Sequence, residues 1–174
     1  ELSASTTTIR VQGAGGQESA VITATGYDST GNVITDCSSN IEFSIISGPG
    51  GGEALDGVPF PPGPAVVKTT SSGTASVSLT SGSVSGTVYV EADIVLAGDC
   101  STVISVAAQT TPIAIEAGEP ANILIFQAPT VTSNPDGSTS QTFSALAQDL
   151  HGNPVENGTV IFFGLVDNSI PNPS

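Results

Sequence analysis

The chain is built from short runs in which apolar and polar side chains alternate, each closed by Gly, Pro, Asn or Asp. Ile22, Ala24 and Gly26 alternate with Thr23, Thr25 and Tyr27, and Ile41, Phe43 and Ile45 with Asn40, Glu42 and Ser44. Ala75, Val77 and Leu79 share one parity, Val88, Val90 and Ala92 another run, and "STVISVAA" offers Ile104 and Val106. A period of two places every second side chain on one face of an extended strand, so each run predicts a half-buried strand. Nothing repeats at the helical period. Short strands at this spacing, separated by turn residues, predict an all-β sandwich. The stretch "SGPGGGEALDGVPFPPGP", Ser47 to Pro64, carries too many glycines and prolines for a central strand and is expected to be a long connection.

Composition narrows the function. The 174 residues hold 16 Asp plus Glu against 2 Lys plus Arg, a formal net charge of −14. Such a surface repels phosphate backbones and has no basic patch for anionic lipid, which excludes nucleic acid and the membrane surface as partners. Disorder, the usual reading of an acidic chain poor in aromatics, conflicts with 38% hydrophobic residues set in alternating runs. No apolar run reaches the roughly 18 residues of a spanning helix. Ser and Thr supply most of the wetted surface, as expected of a secreted β-protein. The chain opens in "ELSAS" without a signal-peptide pattern, as expected of a mature or excised piece.

An internal repeat organises the whole. "ATGYDSTGNVITD" returns as "ALAQDLHGNPVEN", so that Asp28, Gly31 and Asn32 recur as Asp149, Gly152 and Asn153, 121 positions on. Ser19, Ile22 and Ala24 match Ser140, Phe143 and Ala145 at the same offset; Ile41 and Phe43 match Val160 and Phe162 at 119. The spacing is that of a domain. It predicts one complete unit over residues 1–118 and the first half of a second over 119–174.

These residues resemble the bacterial immunoglobulin-like domain of group 1, the invasin and intimin type. "SAVITATGYDSTGNVI" and "SQTFSALAQDLHGNPV" are similar to that family's strand, Gly-Asn turn and following strand, although Val33 stands where the family favours Pro. "TTSSGTASVSLTSGSVSGTVYVEAD" is similar to its later strands, and "TPIAIEAGEPANILI" to the junction between its repeats. The resemblance implies an immunoglobulin-like β-sandwich and a place on an extracellular bacterial surface, without catalysis. In an immunoglobulin-like strand order Cys37 and Cys100 fall in loops at the same end of the sandwich, which implies a Cys37–Cys100 disulfide in an oxidising compartment.

The corner residues Asp28, Gly31, Asn32, Asp149, Gly152 and Asn153 read as turn chemistry. An Asp at the start accepts backbone N–H groups two residues on, and the later Gly takes the left-handed conformation. Calcium is the sharper alternative: Glu116 and Glu119 lie where the Asp149 turn could approach, and carboxylate oxygens are its ligands. No Asp-x-Asp-x-Asp run supports it. His151 beside Asp149 invites a catalytic triad, but Thr30 occupies its place in the first copy, so it reads as an exposed turn residue. Tyr27, Tyr89 and Phe60 could stack on sugar or simply pack in strands.

The expectation is therefore a non-enzymatic stalk module joined to neighbouring repeats through "QTTPIAIEAGEP", with Pro112 and Pro120 limiting the hinge and any host ligand met through other domains. Two alternatives remain open. The cut-short second unit could be completed by another chain in an extracellular filament, or the chain could bind carbohydrate or a host protein. No cofactor is expected unless calcium sits at the junction.

Overall fold

The structure, a computed structural model, describes residues 1–28, 30–35, 38–60, 63–95 and 109–164. Among these every regular element is a strand. They are β1 (Leu2–Ala4), β2 (Thr8–Arg10), β3 (Ser19–Thr25), β4 (Asn40–Ser47), β5 (Ala54–Leu55) and β6 (Val58–Pro59). There follow β7 (Val66–Thr69), β8 (Thr74–Thr80), β9 (Gly86–Val95), β10 (Gln109–Glu116), β11 (Asn122–Ser133) and β12 (Thr139–Gln148).

Ten strands make two sheets, ordered β1-β3-β8-β5-β6 and β2-β10-β9-β4-β7. The first strand of the fold is split between them. β1 pairs antiparallel with β3, and β2 crosses over to run parallel to β10. The alternation of the sequence sets which side faces in: Ile22 is paired with Val77 and Ala24 with Ala75 on the buried face of one sheet. Phe43, Val88, Val90 and Ile113 close over them from the other sheet. Polar residues of the same strands remain outside, where Thr23 Oγ1 and Ser76 Oγ meet at 2.9 Å. This is an immunoglobulin-like β-sandwich, as the alternation predicts. Lys68 of β7 reaches Asp56 at the β5–β6 turn in an ion pair of 2.6 Å, tying the two sheets together at one edge.

Two expectations are corrected. The Gly/Pro stretch after β4 is no wandering connection: β5 and β6 form a small hairpin whose first strand adds to β8, with Leu55 in the core. Its glycine-rich beginning folds around the fully buried Glu53, whose carboxylate accepts the N–H groups of Gly50 and Gly51, both at 2.8 Å. The second correction is that "QTTPIAIE" is not a linker but β10, paired with β9 along its length. Pro112 is tolerated because β10 meets β2 only from Ala114 onward. Ala114 donates to Thr7 O, so Pro112, two residues earlier, turns its nitrogen to the side where β2 has not yet begun. The link is thereby shortened to the few residues around Gly118, Glu119 and Pro120. Cys37, Cys100, Ile104 and Val106 lie outside the described residues.

Beyond the link, β11 and β12 form an antiparallel hairpin. Val160 and Phe162, expected to follow as a third strand like Ile41 and Phe43, are in no strand, and Phe162 is 91% exposed. Ile41 and Phe43 are held between β7 and β9; Val160 and Phe162 have no such neighbours among the described residues. The hairpin is consequently largely bare: Ile123, Ile125 and Phe143 on one face and Phe126 on the other are each more than half exposed.

Candidate functional site: the contact between the hairpin and the sandwich

Both corners fold alike. Asp28 N donates to Asn32 O at 2.8 Å and Asp149 N to Asn153 O at 2.9 Å. One carboxylate oxygen then gathers the turn: Asp28 Oδ1 accepts Thr30 N (2.8 Å) and Asn32 N (2.9 Å), and Asp149 Oδ1 accepts His151 N and Asn153 N, both at 2.9 Å. Gly31 and Gly152 sit at φ of 85° and 87°, where a side chain would be strained. Each corner closes on a single bridge, Tyr27 to Val33 and Gln148 to Pro154, so Val33 serves in place of Pro.

Their surroundings differ completely. Asp28, Gly31 and Asn32 are exposed, whereas Asp149 is 1% and Asn153 7% exposed. The second corner is pressed against the end of the sandwich. The Asn153 side chain donates from Nδ2 to Ser83 O (2.9 Å) and accepts Ser85 N at Oδ1 (3.0 Å), the two-bond pattern of a backbone partner. Asp149 Oδ2 accepts Gly118 N at 2.9 Å and the Asn153 amide at 2.9 Å. His151 Nε2 lies 2.7 Å from Gln12 O. At the rim Arg10 Nη1 donates to Glu119 Oε1 at 3.0 Å, a solvent-facing pair worth about 0–1 kcal/mol.

The receiving surface is assembled from glycine-rich loops, each folded onto a carboxylate. Glu18 Oε1 accepts Gly13 N and Gly15 N at 3.0 Å, which shapes the loop carrying Gln12. Gln12 N donates to Gly82 O, and Ser83 N to Gly51 O, so the Glu53 loop braces the Ser83–Ser85 loop from behind. The backbones come so close that a Cβ on Gly82 would lie 2.4 Å from the Gly51 carbonyl. Gly118 is similarly confined, with a Cβ there falling 2.9 Å from Ala14 Cβ and 3.5 Å from Asp149 Cβ. A cleft of about 260 Å³ runs beside the contact, between Ala14, Pro120, Leu150 and His151.

Electrostatics follow from these bonds. For Asp149, burial works to raise the carboxyl pKa, but the Asn153 amide and the N–H groups of Gly118, Asn153 and His151 outweigh it and hold the pKa below the ordinary range. For Asp28 the Asn32 N–H and the Thr30 hydroxyl are the main causes, and the value drops to about 2. The calcium reading does not fit these residues. Among the described residues no three acidic, His or Cys side chains converge on a metal-sized site, Asp149 is committed to N–H donors, and Glu119 pairs with Arg10. His151 is the exposed turn residue that the sequence predicts, and its ring nitrogen in addition meets Gln12 O across the joint, a contact no local pattern signals. Tyr27 and Tyr89 are exposed, Phe60 partly so, and Tyr27 donates to Glu1 Oε2 at 3.0 Å, which helps raise its own pKa. No helix among the described residues is long and apolar enough to cross a membrane.

No family model and no curated protein matches the chain. Among solved structures it is similar to a glycosyl hydrolase family 2 member from Bacteroides cellulosilyticus, at 20% identity and a TM-score of 0.46, over 67% of this chain and 14% of that one. It is also similar to the chaperone–tip adhesin complex described for activation of CFA/I fimbriae biogenesis, at 13% identity and a TM-score of 0.39, over 83% of this chain and 67% of that one. The first likeness spans only a small part of its much longer neighbour. Both are too distant to carry a functional argument, and the assignment of fold rests on the strand pairing described above.

Proposed function

We propose that this chain is a non-enzymatic structural module of a bacterial surface protein, a semi-rigid stalk repeat of the invasin and intimin type. The observation that carries the reading is the buried corner. Asp149 and Asn153 are removed from water against the neighbouring sandwich, with their polar atoms matched to fixed backbone groups. A flexible tether would need no such contact; a joint that transmits orientation does. The residues 119–174 then begin a second immunoglobulin-like repeat, and repeats so joined would stack end to end on the outside of the cell. A Cys37–Cys100 disulfide would suit that compartment; titration of the unreduced protein should find no free thiol. X-ray scattering tests the stalk. The full chain should give a particle whose maximum dimension exceeds that of one sandwich, and Asn153→Ala should broaden the distribution of dimensions. A particle no longer than a single sandwich would refute the reading.

The bare face of the hairpin supports a second reading, in which another chain completes the second sandwich in a filament. Ile125 is 65% and Phe143 51% exposed, and a lone two-stranded sheet with such a face is marginal in water. Light scattering across a concentration series separates the two: growth with concentration favours the filament, a constant monomer the stalk.

A further inference from the structure

We infer that the exposed Asp28 corner is itself a docking surface, shaped for the loop-bearing end of another immunoglobulin-like repeat. The inference rests on the stalk reading and adds to it a second joint, with its residues. The template is within the same molecule: the Asp149 corner has the same bonds, the same glycine conformation and the same bridge, and it is docked.

The differences between the corners are those expected between a vacant half-joint and an engaged one. Asn153 directs its amide outward to Ser83 and Ser85, whereas Asn32 Nδ2 folds back on Thr30 Oγ1 at 2.7 Å. Asp149 Oδ2 takes a backbone N–H at 2.9 Å, whereas Asp28 Oδ2 has a side-chain amide at 3.4 Å. The occupant is defined by this chemistry. It is a neutral loop that presents a carbonyl and an N–H two residues apart, as Ser83 and Ser85 do, and a small residue in the link like Gly118. A cation is not what the corner fits, since its docked counterpart is surrounded by amide donors.

The geometry prescribes the connection. Leu2 pairs with Ala24 as Ile125 pairs with Ala145, and Ala24 and Ala145 are equivalent positions. Residues 1–123 placed directly ahead of Glu1 therefore reproduce the link of the existing joint. In this extended protein, with the trailing full chain segmentally labelled with ¹⁵N, exchange of the Thr30 and Asn32 backbone amides should slow at least about tenfold relative to the unextended chain. Asn32→Ala should restore fast exchange at Thr30 in the extended protein and change it far less in the unextended one, where only the bonds to Thr30 and Asp28 are lost. Equal exchange rates in the two proteins, with the leading repeat melting cooperatively, would overturn the inference. Scattering from the same sample keeps the two ideas apart. An elongated particle with unprotected Asn32 leaves the stalk standing without this joint, and a side-by-side pair removes the stalk itself.

Discussion

Asp28 and Asp149 begin the same corner, yet one stands in water and the other is buried against a neighbouring sandwich. The backbone N–H bonds inside the two corners agree to within about 0.1 Å, while the side-chain bonds differ, the Thr30 hydroxyl bonding Asp28 in the first corner alone. The corner is thus locally determined, and docking leaves its backbone unchanged. What docking alters is the cost of losing it. Around Asp28, water can replace any bond that is removed; around Asp149, which is 1% exposed and held against Gly118 and Asn153, replacement is much poorer.

Asp149→Ala gives the largest expected contrast. It strands the N–H groups of Gly118, His151 and Asn153, and hydrogen bonds to a charged group suggest a loss of about 3 kcal/mol from the hairpin's docking, read by hydrogen exchange in β12. Asp28→Ala should leave the melting of the sandwich much less affected. Equal effects would mean that burial of the second corner has no energetic weight. Next comes Gly118→Val, whose side chain must enter the space between Ala14 and Asp149 and should weaken the joint by about 2 kcal/mol while leaving the sandwich's own midpoint unchanged.

Acid sharpens the comparison further. Both carboxyls titrate below an unfolded Asp at 3.8, so each contribution is complete above that value and is lost as pH falls through the folded one. Between neutral pH and about 5 the joint should therefore be unaffected. Exchange in β12 should accelerate only below about 3.8, and an onset well above that value would show that Asp149 does not carry the pH dependence. The smallest effect belongs to His151→Ala. It removes one solvent-facing bond to Gln12 and should cost about 0.5–1 kcal/mol of docking, while Thr30→Ala at the matching position should leave the joint untouched.

Much of the sandwich was legible in the residues. Alternation at Ile22–Ala24, Ile41–Phe43, Ala75–Leu79 and Val88–Ala92 assigned strands and their buried sides correctly, since a period of two has one structural meaning when turns bound it. Punctuation misled where a neighbour's position decides. Pro112 reads as a linker, but β10 accepts it beyond the end of β2, and the glycines before Glu53 read as slack although a buried carboxylate orders them. Val160 and Phe162 have a strand's pattern but, among the described residues, no partners that make a strand.

The sequence alone determined the corner twice over, because an Asx turn with a left-handed glycine is specified by three residues and the atoms they reach within five positions. Which corner would be buried, and that His151 and Asn153 would become contacts while Thr30 and Asn32 did not, was decided only when Ser83, Ser85, Gln12 and Gly118 were brought together from loops far apart in the chain. Local pattern records what a residue can bond to nearby; burial depends on what the rest of the fold places over it.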